Sequence, residues 1–418
     1  MKVTRIVQHF PADSIPDVEA AVLQELRALS PRLGLPLRGK RIAVAVGSRG
    51  IAEIGTIVRT LVGWLRAQGA APFIVPAMGS HGGATPEGQR ELLRGYGIEE
   101  RLVGAPVVSS LEVVELENDG LANRLFMDAQ AAGADGTVIV NRIKPHTDFH
   151  GPVESGLLKM CVIGLGKHSA AREMHGFGVQ GLRTLIGPSA QRVLERGNIL
   201  FGLGIVENAR DRPRRLRALL PAEIPREEPR LLELARASMA RLPVEDLDVL
   251  VVDELGKDVS GTGMDTNVIG RMRIPGEAEP ASPRIRRIVL LGLTPATHGN
   301  ALGIGLADFV TRSMREAIDL QATYENVLTS SFLERGFVPL VASTPREAVE
   351  WALRSCGRSL LGRDARLARI RSTLWLEELW VTDPVRDELE GRQSIEVGHE
   401  SAELYAAGGE LHDAWRGA

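Results

Sequence analysis

The sequence predicts an α/β fold: two α/β domains with largely parallel sheets, and the active site in the cleft between them. Three observations predict it. Short runs rich in valine and isoleucine alternate with segments whose apolar residues recur at helical spacing. Several of these runs end in glycine- or histidine-rich sequence. The length, 418 residues, exceeds what one hydrophobic core supports.

The elements follow in order. Arg41–Val46 reads as a buried strand ending in Gly47-Ser48-Arg49-Gly50, and Ile57, Val58, Leu61, Val62 and Leu65 then repeat with helical period. Pro72–Pro76 is a second strand, ending in Gly79-Ser80-His81-Gly82-Gly83-Ala84-Thr85. Pro86-Glu87 then opens a helix, since proline suits its first position and glutamate its dipole. Thr137–Val140 is a third strand, and Asn198–Val206 another. Arg210–Arg217 reads as an arginine-rich connector and exposed edge. A helix around Pro229–Ala240 leads to Leu247–Val252, where a second unit begins; Ile288–Leu293, Val338–Ala342, the helix Thr344–Ser355 and Leu379–Thr382 continue it. The expected division is an N-terminal catalytic and cofactor-binding domain at 1–240, a C-terminal domain at 241–390, and a tail, 391–418, packing back on the body.

Ligands of such sheets collect at the carboxyl ends of strands. That topology would bring Ser48-Arg49, His81 and His146 to one rim. Composition removes other classes. A net charge of −3 and 4% aromatic residues leave no field or stacking surface for nucleic acid or anionic membrane. Two cysteines, Cys161 and Cys356, fit a reducing compartment. The amino terminus lacks the basic head and apolar run of a signal peptide, and no run of 18 apolar residues occurs; a cytoplasmic protein is expected.

Residues 144–175 are the densest chemistry in the chain. Of 9 histidines, four (His146, His150, His168 and His175) lie there around Lys159 and Lys167. Imidazole is a common metal ligand and titrates nearest neutrality. The cluster reads as a site, with a solvated loop as the competing reading. Gly47-Ser48-Arg49-Gly50 offers backbone N–H groups, a hydroxyl and a guanidinium to a phosphate or carboxylate, or is a turn with a surface arginine. His81, alone in a glycine loop, reads as an acid/base group or ligand. Lys159 has apolar neighbours Leu157, Leu158, Met160 and Val162. Desolvated, it would be a nucleophile toward a carbonyl-like group; otherwise it snorkels from an amphipathic helix. Gly164-Leu165-Gly166-Lys167-His168 is not a P-loop, because Cys161 and His168 stand where glycine and Ser/Thr are needed. Neither a complete G-x-G-x-x-G after a strand, nor His-Glu-x-x-His, nor a paired Cys-x-x-Cys occurs.

The order Ser48-Arg49, Gly79-Ser80-His81 with Thr85, His146, Lys159 and His175, then Thr297-His298-Gly299, resembles the lactate racemase family, the nickel-pincer nucleotide enzymes. The resemblance covers most of the chain and is strongest from Val44 to His175. It implies an isomerase, a racemase or epimerase of a 2-hydroxy acid. It implies a cofactor, the nickel-pincer nucleotide (pyridinium-3,5-bisthiocarboxylic acid mononucleotide nickel), tethered covalently at Lys159, with His175 as nickel ligand. His81 and His146 become the two acid/bases, while Ser48 and Arg49 hold the carboxylate or phosphate region. The hydride leaves C2 for the cofactor and returns on the other face. Cofactor maturation proteins are the implied partners. His150, His168 and Lys167 are left as supporting or surface residues, although His150 could replace His146 as second base.

The departures carry information. The family's Asp-x-Thr-Arg-Pro is here Val46-Gly47-Ser48-Arg49-Gly50. In the second domain Asp265-Thr266-Asn267 is followed by Gly270, Arg271 and Arg273 where the family has a substrate-facing Gln and Lys. Asn267, Arg271, Arg273 and His298 are therefore substrate-binding candidates. A changed clamp implies a substrate other than plain lactate, a larger or more acidic hydroxy acid. Two further classes compete: an anion-binding or regulatory relative without the cofactor, and a metal-dependent hydrolase using the histidines with Asp148 and Glu154.

Overall fold

The structure, a computed structural model, describes residues 1–47, 50–357, 364–406 and 410–412. The chain divides into two compact units, Pro11–Met239 and Met1–Phe10 with Ala240–Ala418. The boundary falls near residue 240, and the first ten residues join the unit that follows it. The reason is β1 (Lys2–Gln8), which buries Val3 and Ile6 between two antiparallel neighbours from the far end of the chain. Pairing at that separation leaves no local signal.

In Pro11–Met239, a sheet of five strands has β2 (Arg41–Val46) and β3 (Ala71–Pro76) on one side. On the other lie β6 (Gly136–Arg142), β7 (Ile199–Glu207) and β8 (Pro213–Leu219), in the order β3-β2-β6-β7-β8. A separate antiparallel pair is made by β4 (Val113–Leu116) and β5 (Leu125–Asp128). The first four strands of the sheet are parallel. Such strands are covered on both faces, which is why β2 reads as a continuous apolar run rather than an alternation. The helix Ile54–Ala67 covers it with Ile57, Val58, Leu61 and Leu65. The helix Val18–Leu29 adds Val22, Leu26 and Leu29, its first turn capped by Asp17, whose side chain accepts from the Ala20 N–H at 2.9 Å. The arginine-rich connector is instead the body of β8, an antiparallel edge strand. Its period of two is carried by Leu216 and Ala218 facing in, and three arginines mask it.

The order places a topological switch point between β2 and β6. The chain leaves β2 toward β3 on one side, and β6 continues the sheet on the other. A crevice opens at the carboxyl ends of such a pair.

The second unit is an eight-stranded sheet, ordered β12-β11-β10-β9-β13-β14-β1-β15. Its strands are β9 (Asp246–Leu255), β10 (Arg284–Leu293), β11 (Phe309–Thr311), β12 (Leu340–Ala342), β13 (Leu367–Ile370), β14 (Glu378–Val381) and β15 (Ile395–Glu403). The five from β12 to β13 are parallel and the rest antiparallel. The helix Pro345–Ser355, capped by Thr344, packs Ala348, Val349 and Leu353 on it. Residues 395–403, expected in a tail without a clear period, are the edge strand β15 beside β1. Among the described residues no helix is long and apolar enough to cross a membrane.

Candidate active site

The switch point is tightly built. A Cβ on Gly47, directly after β2, would lie 2.7 Å from Asn141 Oδ1 and 3.3 Å from Met160 Cε. Asn141, near the end of β6, donates Nδ2 to the Gly156 carbonyl at 2.9 Å. The ends of two strands therefore meet the turn that precedes Lys159. Ser48 and Arg49 lie outside the described residues.

The turn is gripped from a third side. Glu228, on the helix Ile224–Ser238, accepts the Leu158 N–H at 3.0 Å and is buried. Only glycine fits at 156, since a Cβ there would lie 2.4 Å from Glu228 Oε1. Lys159 follows at the end of a short helical turn, Leu157–Lys159, which widens into a π-type turn, Met160–Gly164. Wide turns of this kind recur at functional sites. The helix Lys167–Gly176 then carries His175.

Burial pushes the Glu228 carboxyl up to about 7, against the pull of the Leu158 and Leu157 N–H groups. The sign of the consequence is fixed by linkage. Below pH 4.5, the ordinary value, folded and unfolded chains both hold this proton. From there to about pH 7 only the unfolded chain ionises, so stability falls as pH rises, by ~3 kcal/mol in total. Glu228→Gln is expected to flatten that window and to be the more stable form at pH 8. Urea melts at pH 5 and pH 8 measure it, and an unchanged pH dependence would refute it.

His146 is held by its own loop. Its N–H donates to Glu154 Oε2 at 2.6 Å, and its ring Nδ1 accepts the Asp148 N–H at 3.1 Å. The ring lies 4.5 Å from that of Phe149. With Nδ1 used as an acceptor, the neutral tautomer, assigned from this bond, carries its proton on Nε2. Nε2 contacts Lys159 Nζ. The lysine nitrogen and the imidazole are thus within hydrogen-bond reach of one another. His150, the alternative second base, is half-exposed instead, its Nδ1 3.3 Å from Glu154 Oε1. Burial pushes the Glu154 carboxyl up, but His150 and the N–H groups of His146 and Gly151 outweigh it and hold the group below its ordinary value. Arg236 pairs with the same carboxylate.

His175 faces this pair. Burial lowers its imidazole from the ordinary value and the Lys159 charge lowers it further, against Asp148. A neutral imidazole is the form that ligates metal. The structure thus brings His146, Asp148, Lys159 and His175 together.

His81 follows β3 on a single helical turn, Gly82–Ala84. Gln89, fully buried, donates Nε2 to the carbonyls of Gly79 (3.0 Å) and His81 (3.2 Å). Gly82 has φ +66°, and a Cβ there would meet the Gln89 backbone nitrogen at 2.6 Å. A Cβ on Gly79 would lie 3.2 Å from Ile163 and 3.6 Å from Ala171, so the loop packs on the segment joining Lys159 to His175. Lys167 is no surface residue. It is fully buried, pairs with Asp128 at 2.9 Å and donates to the Pro76 carbonyl at the end of β3. His168 is exposed. Sequence reasoning missed Asn141, Glu228 and Gln89, which read locally as an ordinary strand and helices.

In the other unit, His298 is exposed on the turn after β10, with φ +49°. Asn267 donates its backbone N–H and its Nδ2 to Asp265 Oδ1, both at 2.9 Å, and Asp265 takes the Thr373 hydroxyl beyond β13 as acceptor for its N–H. Both stand on loops linked to carboxyl ends of parallel strands. Arg271 and Arg273 do not. Arg271 bonds Leu306 O, Ile285 O and Asp308, and Arg273 bonds Gly305 O, Ala307 O and Asp308. Ile285 opens β10 and Asp308 precedes β11, so these arginines staple the amino ends of the strands. Loop carbonyls and one carboxylate hold both guanidiniums there, at the strand ends opposite the loops of Asn267 and His298. Among the described residues no group of three or more His, Cys, Asp or Glu is placed to hold a metal ion, so the hydrolase reading has no ready ligand set.

Fold and site define a two-unit α/β protein with a lysine between two imidazoles near the switch point of a parallel sheet. In three dimensions the chain is similar to the lactate racemase apoprotein from Thermoanaerobacterium thermosaccharolyticum, with TM-score 0.53 and 13% identity, over 90% of this chain and 99% of that one. A protein from Thermotoga maritima matches 68% of this chain and 72% of its own, with TM-score 0.47 and 15% identity. No family model and no curated protein sequence matches the chain. At these identities the likeness is one of fold.

Proposed function

We propose that this protein is a racemase or epimerase of a 2-hydroxy acid other than plain lactate, dependent on a nickel-pincer nucleotide. The observation that carries the reading is Lys159 Nζ against His146 Nε2, with a depressed His175 beside them. The residues present fit the group: a lysine to acylate, an imidazole whose charged form burial disfavours, and a glycine where Asn141 and Met160 leave no room for a side chain. When bound, the group accepts and returns hydride. Lys159 would tether it through the amine that contacts His146 Nε2. His146 and His81 move the hydroxyl proton of the two enantiomers, one each. Asn267 and His298, on strand-end loops of their own unit, keep the substrate-binding role the sequence assigns them, and Ser48 with Arg49 serve the carboxylate or phosphate region. The setting is the cytoplasm, and the partners are the cofactor maturation proteins.

The test is expression with those maturation proteins, followed by intact mass and nickel analysis. An unmodified mass would overturn the tether. Two substitutions separate the roles. His175→Ala is expected to lose nickel. His81→Ala is expected to keep nickel and lose about 10²–10⁴-fold in turnover. Full activity in His81→Ala, assayed as exchange of C2 configuration across a panel of 2-hydroxy acids, would remove it from proton transfer.

A further inference from the structure

The surface that stands out lies far in sequence from this chemistry. Between Leu320 and Val341 eight large apolar side chains are exposed. The helix Leu320–Ser330 is apolar on two faces. Thr323 and Val327 are buried against the unit, whereas Leu320, Tyr324 and Leu328, a stripe at spacing four, face out, Leu328 at 68% exposure. A surface helix normally turns polar residues outward. The helix packs on the turn Leu333–Gly336, where a Cβ on Gly336 would lie 2.7 Å from Val327 Cγ2. The chain runs on through Phe337 (62% exposed) into β12, the sheet's edge strand, where Leu340 is 63% exposed. The turn that packs on the helix leads within a few residues into the edge strand.

We propose that this face pairs the protein with a second copy of itself, β12 against β12 about a two-fold axis, with the helices packed alongside. Two observations choose that occupant. The first is the backbone. The Leu340 N–H donates to Asp308 O on the β11 side, so by alternation Val341 turns its N–H and C=O outward. An antiparallel pair of the same residue about a two-fold satisfies both groups of both copies, with no other chain needed. The second is area. At about 200 Å² for a whole large side chain, eight that are each about half exposed leave on the order of 800 Å² bare. That exceeds the roughly 300–600 Å² patch of an ordinary monomer and equals the share of about 800 Å² that each partner gives to a stable interface. A membrane surface fits less well, because Leu320–Ser330 carries no lysine or arginine.

Sedimentation at tens of micromolar and hydrogen exchange test this. Wild type is expected at twice the chain mass, with the Val341 amide protected. Leu328→Glu with Phe337→Glu is expected at the chain mass, with an unchanged circular dichroism spectrum and that amide exchanging. Val341→Pro deletes only the outward N–H, which an edge strand tolerates, and is expected to raise the dimer Kd at least tenfold. A wild-type protein that sediments as one chain overturns the proposal, whatever else covers the patch. A dimer whose Val341 amide exchanges freely, or that Val341→Pro leaves intact, overturns the strand pairing.

Discussion

Lys159→Arg, prepared with the maturation proteins, is expected to carry no adduct mass and to lose racemisation by about 10⁴-fold or more. The cofactor does the organic chemistry, so without the tether little remains to catalyse. Arginine keeps the positive charge and much of the length of lysine, but its guanidinium has no free lone pair for acyl transfer at neutral pH. A loss in this variant is therefore a loss of nucleophile rather than of charge. The surrounding geometry predicts that the fold survives, because the turn is set by Glu228 on Leu158 N–H and Asn141 on Gly156 O, neither of which involves the lysine side chain. Lys257→Arg, on an exposed loop of the other unit, is the matched control and should keep both adduct and activity. An adduct in Lys159→Arg, or wild-type turnover without one, would sink the assignment.

The parallel core was legible because burial on both faces forces unbroken Val/Ile runs, and β2, β3, β6 and β9 were all read this way. The same physics hid β8, whose outward arginines look like a connector, and β1 and β15, whose partners are at the opposite end of the chain. The site divides likewise. His146, Lys159 and His175 were visible because imidazoles and a lysine among leucines are conspicuous in any string. The residues that hold them were not. Asn141 reads as one polar residue at a strand end, and Glu228 as one acid on an amphipathic helix; only packing shows that Gly156 is held by Asn141 and leaves room for Glu228. Arg271 and Arg273 stand elsewhere in the fold. Their charge suggested a carboxylate clamp, but a guanidinium satisfies loop carbonyls as readily, and Asp308 supplied the counter-charge.

Lys167→Met is expected to cost the fold about 3–5 kcal/mol, the usual penalty for removing one partner of a buried ion pair. Both members are fully buried, and the Asp128 carboxylate would be left without its counter-charge. Burial lowers the lysine below its ordinary value, and Asp128 offsets part of that penalty. The double variant Lys167→Met with Asp128→Asn removes both charges and keeps a side-chain oxygen to cap Ala131 N–H, now accepted by Asp128 at 2.8 Å. It should recover much of the loss, a non-additivity that a surface pair would not show. The consequence reaches the site through one atom. Lys167 Nζ also holds the Pro76 carbonyl, the last residue of β3 before the His81 loop. The double variant should therefore be folded yet slower, with kcat reduced and nickel retained, because its loop has lost the anchor that sets His81. Urea melts of the four-member cycle measure the first effect and turnover of the double variant the second. A Lys167→Met protein within about 1 kcal/mol of wild type would show that the pair contributes no more than an exposed one.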